Sequence, residues 1–148
     1  VEFWDKILNL NLRGPFLCSQ AVGRVMVKQR SGAIVNISSG IAFKAGEGVA
    51  TYGSAKAGLV QLTRLCACEW GKYGIRVNAI APGGIDSEGR RRAMLKAGID
   101  PNVGGDNNAL GRIGRPEEIA HAILFLASDA GSFVNGETIS VDGGPKAE

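Results

Sequence analysis

The sequence predicts an α/β fold built on a parallel sheet, on three observations. A short apolar run over 33–38, rich in β-branched residues, reads as a strand buried on both faces, the habit of parallel sheets. A second run, over 75–81, ends at Pro82-Gly83-Gly84 and reads the same way. Between them, over 51–72, Leu59, Leu62, Leu65 or Cys66, and Trp70 recur at helical spacing. At 148 residues the chain is one domain's worth, and its 45% apolar content suffices for a core.

Taken in order, 3–29 reads as a helix interrupted near Gly14-Pro15. Pro15 has no N–H to donate to the carbonyl four residues back, that of Asn11, so a kink is expected there, with the Asn11 carbonyl free to hold a water. Gly32 breaks the chain before the first strand. Ser38 and Ser39 close that strand at its carboxyl end, the side on which open α/β sheets bind ligands. The glycine-containing loop 41–49 is placed to wall a site. The helix over 51–72 ends at Gly71 and Gly74. After the second strand, Pro82-Gly83-Gly84 lets main chain approach a ligand closely.

The stretch 86–110 is polar and rich in glycine and asparagine, with a helical patch near 90–97. It reads as a mobile flap over the substrate. Its run Arg90-Arg91-Arg92 reads as a solvated face, with the phosphates of an acyl carrier as the alternative partner. Arg115-Pro116-Glu117-Glu118 starts another helix, proline suiting the first turn and the acids the positive helix end. Ile119, Ile123 and Leu126 give it an apolar stripe, and 129–131 end it. A last strand over 137–141 is closed by Asp142-Gly143-Gly144.

A net charge of +3 is too mild to argue for nucleic acid or a membrane surface, and no apolar run reaches membrane-spanning length. Neither kind of partner is expected. Cys18, Cys66 and Cys68 form neither a disulfide framework nor a metal site. They fit a reducing, cytoplasmic setting, Cys66 and Cys68 pointing to different sides of their helix. His121, mid-helix, reads as a partly buried structural residue. The chain begins at Val1 rather than Met, and a trimmed, processed or partial chain is expected.

The chemistry centres on Tyr52 and Lys56, one helical turn apart on one face. A phenol ordinarily ionises near pH 10, and bringing one to neutrality takes about 4 kcal/mol. A unit charge at about 4 Å, at an effective dielectric near 20, supplies about that much. Electrostatics alone would let such a pair exchange protons at working pH. By itself, Tyr-x-x-x-Lys is equally a tyrosine anchoring a helix with an exposed lysine.

With Ser39, Tyr52-Gly-Ser-Ala-Lys56, Asn78-Ala-Ile-Ala-Pro-Gly83 and Asp142-Gly-Gly144 in this order, the chain resembles the short-chain dehydrogenase/reductase family, over essentially its whole length. The resemblance implies the carboxyl-terminal half of a doubly wound, Rossmann-like sheet. It implies NAD(P)-dependent interconversion of a carbonyl and an alcohol in a small molecule. Tyr52 would be the general acid/base and Lys56 its electrostatic partner and ribose contact. Ser39, chosen over Ser38 by its distance from Tyr52, would hold the substrate oxygen. Asn11, in a matching Asn-Leu-Arg-Gly-Pro-Phe16 setting, would hold a relay water. Pro82, Gly83, Ile85 and Ser87, with Tyr52 and Lys56, would line the nicotinamide side, and no metal is implied.

The resemblance also implies a homo-oligomer, dimer or tetramer, through the helices 3–29 and 51–72. Much of the chain looks like 3-oxoacyl carrier-protein reductases, whereas Glu69-Trp-Gly-Lys-Tyr-Gly74 and Gly84-Ile-Asp-Ser-Glu-Gly89 look like enoyl- or dienoyl-CoA reductases. No glycine-rich dinucleotide fingerprint is present, so the sequence expects 1–148 to be one partial domain without the adenosine-binding half. Nothing in it chooses NAD over NADP. The strand 33–38 would then be an apolar sheet edge, expected to be covered by another chain, a swapped element or further N-terminal sequence. The rival expectation is a non-catalytic remnant that keeps only the oligomerisation surface.

Overall fold

Residues that can be buried on both sides form the middle of the sheet. In a computed structural model that describes residues 1–103 and 108–145, β2 (Ile75–Pro82) lies between β1 (Gly32–Ile37) and β3 (Thr138–Val141), all parallel. The helices are α1 (Glu2–Leu8), α2 (Gly14–Gln29), α3 (Ala50–Trp70), α4 (Glu88–Lys96) and α5 (Pro116–Ala127). β1 begins and ends one residue earlier than expected, and the main helix starts at Ala50 and gives way to a 3₁₀ turn over Gly71–Tyr73.

Side-chain alternation along β2 decides which helix covers which face. Ile75 and Val77 meet Cys66 and Ala67 of α3, with Met26 and Val27 of α2 packed alongside. Arg76, on the opposite face, donates to the Leu126 and Ser128 carbonyls at the end of α5, at 2.6 and 3.1 Å. Helices therefore cover both faces, as expected of a doubly wound sheet. Gly74 closes the α3–β2 connection with φ +74°, and a Cβ there would lie 2.6 Å from the Arg30 carbonyl oxygen.

The break near Pro15 is a π turn over Asn9–Arg13 rather than a simple kink. The Gly14 N–H reaches back five residues to the Asn9 carbonyl. Since Pro15 cannot donate, the ladder widens before it and the axis re-forms as α2. His121 is exposed, not partly buried. Cys66 is buried and Cys68 exposed, as their spacing required. β1 pairs on one side only and leaves Ile37 42% exposed, so the described residues do not supply the cover expected for this edge. No helix among the described residues is long and apolar enough to cross a membrane.

Buried polar groups tie α3 to the sheet. Asn36 in β1 donates to the Thr63 hydroxyl at 2.9 Å, and that hydroxyl donates to the Leu59 carbonyl at 2.8 Å. Elsewhere, Glu118 anchors the start of α5. It accepts from the Arg115 N–H at 2.7 Å and from both arms of the Arg112 guanidinium at 2.8 and 2.6 Å. These bonds hold the Glu118 carboxyl well below the usual range, at about 2.

Two outcomes follow. Thr63→Val removes the acceptor for the buried Asn36 amide and should lower stability by about 1 to 3 kcal/mol, read from urea unfolding. Because folding depresses the Glu118 value, its contribution is complete above the unfolded value of 4.5 and is lost as pH falls through about 2. Over that acid window the unfolding midpoint of Glu118→Gln should fall less steeply than that of the wild type.

Candidate active site

Each side chain of the site is delivered by the carboxyl end of a strand or the element that follows it. β1 ends in Ser38 and Ser39, and the two serines have different surroundings. Ser38 is buried, its hydroxyl donating to the Lys56 carbonyl at 3.0 Å. Ser39 is half-buried, and beyond accepting from the Ile41 N–H at 3.4 Å its hydroxyl meets an open pocket.

Tyr52 and Lys56 rise from the first turns of α3 into the same pocket. The Lys56 ammonium stands 5.5 Å from the centre of the Tyr52 ring and donates to the Ile37 carbonyl at 2.8 Å. Burial lowers the Lys56 pKa from its ordinary value by removing solvent from the charge. Tyr52 is 36% exposed, so its ring reaches solvent.

Pro82 ends β2, and the pocket floor continues through Gly83, Gly84, Ile85 and Ser87. Gly83 is required by a neighbouring strand: an added Cβ would lie 2.7 Å from the Cα of Asp142. The Gly83 N–H donates to the Val141 carbonyl at 3.1 Å. The Gly114 N–H donates to Gly84, and the Asp86 N–H to Gly114, at 2.9 and 2.8 Å. In such a parallel bridge the peptide groups of Ile85 itself turn away from Gly114. Ser87 caps α4, accepting from the Arg90 N–H at 3.2 Å.

The pocket, about 580 Å³, is therefore lined by Ser39, Tyr52, Lys56, Pro82, Gly83, Ile85 and Ser87 together. Asn11 is not among its lining residues. Its amide nitrogen donates to the Ile7 carbonyl at 3.1 Å. The π turn that carries it packs on α3, where Leu12 sits against Gly58.

Sequence reasoning missed Arg90, Pro116 and Ile119, which also line the pocket. The apolar stripe of α5 signalled that Ile119 is sheltered, but no local pattern says under what. The arginine run expected to be a solvated face divides: Arg91 pairs with Asp86 and Arg92 with Glu88, while Arg90 turns inward. The flap expected over 86–110 contains α4, and its 104–107 stretch lies outside the described residues. A larger hollow, about 650 Å³, lies at the amino ends of β1 and β2. Arg76, which lines it, is engaged in capping α5, and no group there is paired for proton transfer.

A family profile described as enoyl-(acyl carrier protein) reductase matches residues 1–146. The 3-oxoacyl-[acyl-carrier-protein] reductase FabG of Thermotoga maritima is 43% identical over 143 residues, spanning 97% of this chain and 57% of that protein. A probable 2,4-dienoyl-CoA reductase of Bacillus subtilis is also 43% identical, over 95% of this chain and 56% of its own length. A gluconate 5-dehydrogenase from Burkholderia cenocepacia, solved in complex with NADP and tartrate, superposes with a TM-score of 0.85 at 35% identity, over 96% of this chain and 55% of that one. The chain thus spans about half the length of the curated relatives it matches.

The two floor glycines should respond differently. Gly83→Ala forces the ends of β2 and β3 apart and should cost about 1 to 3 kcal/mol in urea unfolding. Gly84→Ala, with nothing within 4 Å of its added methyl, should stay within about 0.5 kcal/mol of wild type.

Proposed function

The chain belongs to the short-chain dehydrogenase/reductase family, and from that premise we propose that it takes part in NAD(P)-dependent interconversion of a carbonyl and an alcohol. The observation that carries this reading is the convergence of Ser39, Tyr52 and Lys56 on one pocket at the carboxyl ends of parallel strands. The residues present fit the nicotinamide half of such a cofactor. Gly84 leaves open space where a side chain would stand, the Ile85 N–H faces away from its bridge, and Ser87 offers a hydroxyl. When bound, the cofactor supplies or accepts the hydride.

The remaining work is proton transfer and orientation. In the reducing direction Ser39 donates a hydrogen bond to the substrate oxygen, and the Tyr52 hydroxyl passes its proton to that oxygen as charge builds on it. The Lys56 ammonium favours the phenolate left behind and anchors the ribose. The main-chain carbonyl of Asn11, on the turn against α3, holds the water that returns the proton through Lys56. The substrate is read as a 3-oxoacyl thioester, after the name of the Thermotoga relative, and the assembly as a homo-oligomer closing over α1 to α3, where Phe3, Leu10 and Val25 are exposed.

Titrating NADPH and NADH against the chain, with nicotinamide fluorescence and turnover of a 3-oxoacyl thioester followed together, tests the reading. Saturable binding is expected. Tyr52→Phe should keep that binding and lower turnover by about 10²- to 10⁴-fold, the usual worth of a general acid. No binding at millimolar cofactor would leave the chain a non-catalytic interaction module.

A further inference from the structure

The three arginines of α4 do not share one fate. The Arg91 guanidinium grips Asp86, with one contact at 2.6 Å, and Arg92 meets Glu88 at 2.6 Å. Arg90, half-buried, finds only neutral partners. Its two terminal nitrogens donate to the carbonyls of Pro101 and Val103, at 2.6 and 2.7 Å. Among the described residues, no carboxylate lies in ion-pair range of it. It lines the pocket that holds Tyr52.

The charge balance of that pocket is one-sided. Lys56 and Arg90 both line it, and among the described residues no aspartate or glutamate does. Asp86 and Glu88, the acids that precede it in sequence, are not part of the lining and are held by Arg91 and Arg92. A lining that carries two cations favours the entry of an anion. A guanidinium has five N–H donors in a rigid fork, and two accepted bonds leave donors to spare. Carboxylate and phosphate are the groups whose oxygens match that fork.

We propose that Arg90 reads an anionic oxygen group, carboxylate or phosphate, on the molecule that occupies this pocket. The group belongs either to the tail of the substrate or to the phosphates of the dinucleotide. The inference rests on reading this pocket as the reaction site, but it does not need Tyr52 chemistry to proceed. The same side chain ties 101–103 to α4.

The test is a binding titration of the full chain with three probes: 4-oxopentanoate, its neutral methyl ester, and NADP⁺. Wild type should prefer the acid to the ester, and the preference should shrink with added salt. Arg90→Gln should weaken the acid by about 10- to 100-fold, the worth of a charge-assisted bond, and leave the ester unchanged. A loss on NADP⁺ in place of the acid assigns the anion to the cofactor. Arg90→Lys, which keeps charge without the fork, should fall between. Unchanged affinities in Arg90→Gln overturn the proposal. So does an equal loss on acid and ester, which marks only a slackened 101–103 segment. Tyr52→Phe, measured in parallel, should retain acid binding. A chain that shows no turnover but Arg90-dependent acid binding loses the oxidoreductase reading and keeps this one.

Discussion

The site depends on α3 being held at one axial position on the sheet. Apolar contacts alone would let a helix slide or roll on a flat surface, since burial is non-directional. Directed bonds remove that freedom here. The Ser38 hydroxyl takes the Lys56 carbonyl, the Asn36 amide takes the Thr63 hydroxyl, and the Lys56 ammonium takes the Ile37 carbonyl. These bonds join the consecutive residues Asn36, Ile37 and Ser38, at and just past the end of β1, to Lys56 and Thr63 of α3. They fix where Tyr52 and Lys56 stand relative to Ser39, and proton transfer tolerates little misplacement.

The same economy governs charge. Acids near the pocket are turned to structural ends: Asp86 binds Arg91, and Glu118 binds Arg112 and starts α5. Asp142 leans toward Lys44 at 3.6 Å, in a pair mostly open to solvent and worth little to stability. Among the described residues, the charged groups that line the hollow are the cations Lys56 and Arg90. The burial that lowers the Lys56 pKa is the cost of placing a cation there.

The surface shows what the chain does not cover by itself. Among the described residues β1 is an edge strand with Ile37 open, and α1, the π turn and α2 expose Phe3, Leu10, Phe16 and Val25. Such a concentration of apolar surface beside an unpaired strand is normally met by more protein. A span of about half the relatives' length is consistent with that.

Much of this was legible in the order of residues. The three strands, the long helix and the helix opened by Arg115-Pro116 follow from apolar runs, β-branching, helical spacing and the stop signals of glycine and proline. Those are properties of neighbouring residues, and neighbours suffice to set local conformation. Tyr52 and Lys56 were readable as a pair for the same reason, since one helical turn fixes their separation. The ends moved by a residue and the Pro15 break became a π turn because hydrogen-bond ladders, not side-chain patterns, set such details. Only the tertiary structure decided that Ser38 is spent on α3 while Ser39 stays free, that Gly83 yields to Asp142, and that one arginine of three faces inward. Each of these depends on an atom brought from far along the chain, and spacing in the sequence carries no information about that distance.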